Sequence, residues 1–212
     1  MEIELGRVVL VVVVSYLLGS IPTGYLVGRL RNVNIFEVGS GNMGATNVIR
    51  AAGMGWGLLV WFFDSTKGIL AILIARQIIP DNATAASVLA AIVAIIGHNW
   101  SLFATLLTGT IRGGKGAATA FGTLLLFLPL QLIAVMLLLA GFIIALTRYV
   151  SLGVLMMFAL AAAWVFLMVS QRIMPFEYLL YILAISSLIL IRFRENIQRI
   201  LAGTERRFGE RS

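Results

Sequence analysis

Apolar runs long enough to cross a bilayer follow one another along this chain with only short polar interruptions, and that succession restricts the fold to one kind of solvent. A transmembrane helix needs about 20 predominantly apolar residues. Runs of this kind cover residues 8–30, 55–79, 83–107, 151–170 and 175–191, and a longer one covers 117–146. In 212 residues that are 60% hydrophobic and 12% charged, so much apolar surface cannot be hidden in a water-soluble core. The expected fold is all-α: a polytopic integral membrane protein forming one transmembrane domain over residues 1–212, with a basic tail at 192–212. The first run is too long for the h-region of a cleavable signal peptide and lacks a small-residue cleavage site, so the segment is expected to stay. There is no cysteine, which removes disulfides, thiolate metal ligands and a Cys nucleophile.

The net charge of +7 is placed unevenly, and its placement predicts a topology. With the amino terminus outside, Arg29, Arg31, Arg50, Arg112, Lys115, Arg148, Arg192, Arg194, Arg199, Arg206, Arg207 and Arg211 all fall on the cytoplasmic side, the positive-inside pattern. This requires the run at 117–146 to cross twice, turning near Leu128-Pro129-Leu130-Gln131, which gives seven helices. The first half of that run, 117–128, reaches only about 18 Å as a helix. It must begin within the preceding glycine loop or thin the bilayer. Residues 80–82, the Pro129 turn and residues 171–177 read as plain outer turns.

The polar interruptions on the cytoplasmic side carry the chemistry. Between the first two helices lies Gly39-Ser40-Gly41-Asn42-Met43-Gly44-Ala45-Thr46-Asn47-Val48, followed by Arg50. Gly39, Gly41 and Gly44 permit backbone conformations that aim several N–H groups at one anion, and Ser40, Asn42, Thr46, Asn47 and Arg50 add side-chain donors. A phosphate is the expected guest. Further loops, Arg112-Gly113-Gly114-Lys115-Gly116, Thr147 to Gly153 and the tail after Ile191, lie on the same predicted face, where one site can collect them.

Two familiar patterns fit only in part. Residues 39–44 match G-x-G-x-x-G, but the dinucleotide fingerprint needs a preceding strand and a βαβ unit, and Asp64 lies inside an apolar segment. Residues 109–115 match the start of a P-loop, yet Gly116 stands where its Ser or Thr is required. Neither a nicotinamide or flavin site nor a nucleotide-hydrolysing motor is expected.

Taken in order, these loops resemble the bacterial membrane glycerol-3-phosphate acyltransferases that use acyl phosphate as donor, the PlsY type. The resemblance runs from Tyr16 to Tyr25, through residues 38–50, Gly97-His98, residues 112–116 and 148–153, to Arg194-Glu195-Asn196-Ile197 and residues 202–205. The chain departs from the pattern at Phe193, where a histidine is usual. It departs again at residues 104–111, which form a longer connection, and at Ser101 in place of a proline. The resemblance implies transfer of a fatty acyl group to the 1-hydroxyl of sn-glycerol 3-phosphate, giving lysophosphatidic acid and phosphate in the bacterial inner membrane. Acyl phosphate is a mixed anhydride with a good leaving group, so its chemistry asks for carbonyl polarisation and charge neutralisation more than for a general acid. Lys115 can serve as a point charge and Arg50 as a bidentate fork on phosphate, with Ser40 or loop amides at the carbonyl oxygen. Ser151, Asn196 and Arg199 are candidates for gripping glycerol 3-phosphate, and Gly39, Gly41, Asn42, Gly44, Thr46, Asn47, Gly113, Gly114 and Gly116 for lining the site. No metal or other cofactor and no nucleic acid is implied; membrane lipid is a partner, and the oligomeric state stays open.

The proton of the acceptor hydroxyl has no obvious protein base. His98 is the single histidine. An intramembrane histidine is a functional candidate, while packing against a backbone carbonyl accounts for it equally well, and a substrate phosphate can take the proton. Asp64 and Lys67, one helical turn apart, read as a structural ion pair. Glu205 reads as an anchor for the tail through Arg206 or a loop amide. Gly19, Gly24 and Gly28 read as close-packing positions, and Trp56, Trp61, Trp100 and Trp164 as belt or core residues. The alternative function is a secondary transporter of an anionic metabolite. Transporters tend to carry paired internal repeats, and residues 39–50 have no second copy here.

Overall fold

A computed structural model describes residues 5–209; Arg211, placed with the cytoplasmic charges above, lies outside the described residues. The structure is helical, and backbone contacts gather into two compact units divided between Leu126 and Phe127. The first unit holds α1 (Leu5–Ser20), α2 (Thr23–Leu30), α3 (Ala45–Ala52), α4 (Met54–Ile78), α5 (Ala83–Asn99) and α6 (Leu102–Thr108). It ends within α7 (Ala117–Phe127). Helices α1, α4 and α5 meet through Val11, Ala71, Ala75, Ile79, Ala86, Ala90 and Ala94, a seam of mostly small side chains. Dispersion between closely approaching backbones replaces the hydrophobic driving force that lipid cannot supply. At the α1–α5 crossing a methyl group on Gly19 would strike the carbonyl of Ala94, and one on Gly97 the carbonyl of Tyr16. Gly24, by contrast, makes room for the backbone of Met43 in the polar loop.

Two expected helices are interrupted. The first run breaks at Ile21-Pro22 between α1 and α2, where proline cannot continue the ladder. The third run reads as one helix over 83–107; instead α5 stops at Asn99 and α6 restarts at Leu102. Ser101 makes the second break possible. Its hydroxyl caps α6 by accepting from Ala104 N at 3.0 Å and donates to the carbonyl of Ser20. Its backbone N–H donates to Arg112 O at 2.9 Å. Tyr16 OH donates to Trp100 O at 2.8 Å, so the two breaks face each other and satisfy each other's backbone. Non-helical backbone at membrane depth is tolerated only on such terms.

The second unit holds α8 (Leu130–Thr147), α9 (Val150–Ser170) and α10 (Glu177–Leu201). Phe127 packs edge-on against Tyr178 and Tyr181, with ring centroids 5.1 and 4.6 Å away. Pro129 precedes α8 in an extended conformation, as its turn role predicts, and Arg148 closes the helix at φ 60°.

By length and hydropathy, five segments of the described residues qualify as membrane spans: Leu5–Leu30, Met54–Ile78, Pro80–Asn99, Leu130–Thr147 and Val150–Ser170. Large apolar side chains such as Phe62, Leu138, Phe142 and Phe166 are exposed on them, as lipid contact requires. The two other expected crossings are α7, with 11 residues, and α10, whose C-terminal half carries Arg192, Arg194, Glu195 and Arg199. α7 starts at Ala117, after the glycine loop and not within it. Residues 80–82 form the expected turn, a single 3-10 turn whose Asn82 side chain accepts from Ala85 N.

Candidate active site

The loop at 39–47 is organised around Asn47, which is 1% exposed. The two hydrogens of its Nδ2 serve three carbonyls, those of Ile35 (2.9 Å), Val38 (3.1 Å) and Asn42 (2.9 Å), one of them shared, and its Oδ1 accepts from Ser40 N at 2.8 Å. Gly39, at φ 56°, leaves the space this amide needs: a methyl group there would collide with Asn47 Oδ1. Asn42 accepts from Gly44 N at 2.9 Å and donates to Ser40 Oγ at 2.7 Å. Gly41, at φ 63°, donates its N–H to Val38 O. The N–H groups of Ser40, Gly41 and Gly44 are therefore engaged inside the loop, where the sequence suggested that they would point at an anion. What the loop presents instead is the Ser40 hydroxyl, whose hydrogen is left to donate once the oxygen has accepted from Asn42. Beside it stand Thr46 and Arg50 on α3, both half-buried, with the Arg50 side chain running past Gly39.

The second loop hangs from the end of α5. Gly114 N donates to His98 O at 3.0 Å, and a methyl group on Gly114 would overlap the His98 ring at Nε2. One on Gly113 would strike the carbonyl of Asn99, so the paired glycines are a steric requirement. Lys115 follows, half-buried, and Gly116 at φ 77° turns the chain into α7. Asn99, 1% exposed, lies against Gly116 with neither polar atom of its side chain hydrogen-bonded to protein. A buried amide of that kind suits a ligand or an ordered water.

Beneath this loop, Asp64 and Lys67 form the expected buried pair, Nζ to Oδ1 2.6 Å. Its reach was not legible in the sequence: Lys67 Nζ also donates to Ile21 O at 2.7 Å and lies 3.4 Å from His98 Nδ1. The pair thus joins the first helix break to the histidine.

In the second unit, three expected ligand residues converge on one carboxylate. Ser151 Oγ and Asn196 Nδ2 donate to Glu205 Oε1 at 2.9 and 2.6 Å, and Arg199 Nε donates to Oε2 at 2.8 Å. Glu205 does anchor the tail, but to these three groups and not through Arg206. Burial pushes its carboxyl up, yet the hydrogen bonds from Asn196, Arg199 and Ser151 and the charge of Arg199 outweigh this, and the group lies below the usual carboxylate range. Arg148 completes the clasp: its O accepts from Phe208 N at 2.6 Å and its Nη2 donates to Phe208 O at 2.8 Å. Phe193 is buried in α10.

The described residues thus form an all-helical membrane protein whose glycine-built polar loops bring Ser40, Thr46 and Arg50 to one helix end and Lys115 to another. Residues 9–203 match the family glycerol-3-phosphate acyltransferase, and the chain belongs to that family. It is 42% identical over 204 residues to glycerol-3-phosphate acyltransferase 2 of Moorella thermoacetica, covering 96% of this chain and 98% of that one. To a glycerol-3-phosphate acyltransferase of Thermus thermophilus it is 44% identical over 198 residues, covering 93% and 94%. It also resembles a crystal structure of PlsY (YgiH), an integral membrane glycerol 3-phosphate acyltransferase in its glycerol 3-phosphate form, with TM-score 0.83, 35% identity and coverage of 95% and 96%. The lysophosphatidic acid form of PlsY gives TM-score 0.80 at 34% identity, with coverage of 95% of both chains.

Proposed function

We propose that this protein transfers a fatty acyl group from acyl phosphate to the 1-hydroxyl of sn-glycerol 3-phosphate, in a bacterial inner membrane, without metal or nucleotide. The observation that carries the reading is the pairing, within one unit of a chain of this family, of two rigid glycine-built loops that each bear a cation, Arg50 and Lys115. Family relatives are glycerol-3-phosphate acyltransferases by name, and PlsY has been crystallised with the acceptor and with the acylated product. Two phosphate-bearing substrates need two cationic sites.

In the proposed step the acceptor hydroxyl oxygen attacks the carbonyl carbon of the mixed anhydride. The bond between that carbon and the phosphate oxygen breaks, phosphate departs with the electron pair, and a phosphate oxygen takes the hydroxyl proton. Ser40 steadies the carbonyl oxygen as it gains charge, and Lys115 and Arg50 neutralise phosphate. Thr46, Gly113, Gly114 and Gly116 line the path; Asn42 and Asn47 contribute by holding the first loop in shape. Holding both reactants in line supplies much of the rate. Ser151, Asn196 and Arg199 are proposed to bear on glycerol 3-phosphate through the Glu205 cluster. We also propose seven crossings with the amino terminus outside, because that topology keeps the basic segments on the cytoplasmic side.

The test is release of phosphate from acyl phosphate by purified protein in lipid nanodiscs. Release that depends on added glycerol 3-phosphate and persists in chelator is expected. Activity with acyl-CoA and none with acyl phosphate overturns the donor assignment; counterflow of glycerol 3-phosphate into vesicles without acyl transfer favours a transporter.

A further inference from the structure

Asp64, Lys67 and His98 are 1%, 4% and 2% exposed, so three ionisable side chains share one site that neither solvent nor the proposed chemistry reaches directly. We propose that Lys67 and Asp64 are positioning residues for the glycine loop, which they act on by fixing His98 in one tautomer and one orientation. The proposal rests on the reading of residues 113–116 as a phosphate-binding loop.

An ammonium group has three hydrogens and no lone pair. Lys67 Nζ donates to Ile21 O (2.7 Å) and lies 3.4 Å from His98 Nδ1 and 3.5 Å from Gly19 O, while Asp64 Oδ1 is its ion-pair partner at 2.6 Å. A cation with no lone pair can only donate, so its contact with Nδ1 requires that nitrogen to accept, and in a neutral ring the hydrogen then sits on Nε2. The other charged group facing the ring, Asp64 Oδ1, is 3.9 Å from Nδ1, beyond hydrogen-bond range, and is already paired with Lys67. Asp64 and Lys67 cancel in charge, which suits a site at membrane depth.

His98 then supports the loop in two ways. Its carbonyl takes the Gly114 N–H, and its ring at Nε2 forms the floor against which Gly114 rests, next to Lys115. With Nδ1 engaged and Nε2 already protonated, the ring is a fixed donor and has no free lone pair with which to take the substrate's proton. Lys67 ties that floor to the Ile21-Pro22 break, so the loop is held against two different helices.

Because His98 is the single histidine, a full-length sample labelled with 15N in the imidazole ring gives the signature of one ring only. The expected spectrum of unmodified protein in nanodiscs at neutral pH shows a protonated Nε2 and an unprotonated, hydrogen-bonded Nδ1. A protonated Nδ1, or both nitrogens protonated, overturns the proposal without need of any variant. Lys67→Met is expected to give a mixture of tautomers and to raise KM for the phosphate substrate about 10-fold or more, with a smaller change in kcat, the scale at which supporting partners act. His98→Gln, which keeps an N–H donor but cannot act as a base, is expected to retain activity within about tenfold. Loss of a true general base costs about 10²- to 10⁴-fold, so a folded His98→Gln protein in that range also overturns the proposal. A protein with the Nε2–H signature that releases no phosphate from acyl phosphate supports the network and sinks the reaction proposed above.

Discussion

Asn47→Ala is expected to abolish function by melting a loop while leaving the helices in place. The Asn47 amide accepts from Ser40 N and spreads its two N–H hydrogens over the carbonyls of Ile35, Val38 and Asn42. Of these, the bond to Ile35 is fully buried and the others are partly exposed. A buried polar group left unpaired costs about 1–3 kcal/mol, and a replaceable hydrogen bond about 0.5–1.5 kcal/mol. One of the first and two of the second, with water recovering part of the loss, come to roughly 3–5 kcal/mol. That is enough to convert an ordered loop into one populated in its working shape about 1% of the time or less. Turnover in the phosphate-release assay is expected to fall at least about 100-fold in proportion, with folded yield near parental. Hydrogen exchange should show the Ser40 and Gly44 amides losing protection while α4 and α5 keep theirs. Asn47→Asp is the sharper probe. Its carboxylate can still accept from Ser40 N, but its second oxygen faces three carbonyls where a donor stood, so it should be worse than alanine. Near-parental activity in Asn47→Ala, or an Asn47→Asp protein more active than Asn47→Ala, refutes the reasoning.

Lys115→Ala is expected to lower turnover by about 10²- to 10³-fold, the scale of losing one stabilising donor in a water-poor site. Folded yield should change little, because the half-buried lysine lies on a loop; near-parental turnover removes it from the phosphate site. A cysteine at Asn82 is expected to label from outside intact cells, and one at Gly113 or Gly203 only after the membrane is opened. Equal labelling of Asn82 and Gly113 rules out the proposed topology. The Glu205 carboxyl titrates lower in the folded protein than in the unfolded chain, where the value is about 4.3. Its stabilising contribution is therefore complete above that pH and lost as pH falls through the folded value. The tail amide of Thr204 should lose exchange protection over that acid range, and Glu205→Gln should show the same loss at neutral pH; unchanged protection in Glu205→Gln would mean that the carboxylate does not hold the tail.

What the sequence disclosed and what it withheld follow the range of the interactions involved. Five spans were legible because hydropathy accumulates along a run, and the Asp64–Lys67 pair because two residues three apart meet on any helix. Residues 8–30 read as one run, which hides the break at Pro22, although the proline there is its mark. The break at Trp100-Ser101 carried none: residues 83–107 read as one apolar helix, and what ends α5 is pairing with Arg112 and Ser20, 11 and 81 positions away. The first loop was legible as a polar site. The inward engagement of its N–H groups was not, since donors that serve an anion and donors that serve Asn47 have the same composition. Ser151, Asn196 and Arg199 read as candidates for gripping glycerol 3-phosphate, and in the folded chain all three are hydrogen-bonded to a carboxylate of the tail. That the carboxylate is Glu205, 54 residues from Ser151, is a property of the folded chain.

The interrupted helices explain why so few polar residues can hold glycine loops rigid at the edge of a bilayer. A helix break frees backbone groups that lipid cannot satisfy, so a break survives only where protein supplies partners. Here most partners of a break are drawn from another interruption, since Ser101 serves Ser20, Arg112 serves Ser101 and His98 serves Gly114, while Lys67 serves Ile21 from the unbroken α4. Removing any one of these leaves its neighbour unpaired, which makes the set cooperative. Apolar packing adds to this rigidity at the first loop, where Ile35, Phe36, Met43 and Val48 lie in one buried cluster with Val27, Val60 and Ala104. In the proposed transfer, a cradle already in shape need not reorganise as charge moves from the acyl carbonyl to the leaving phosphate, and that is the condition under which a lysine, an arginine and a serine would suffice.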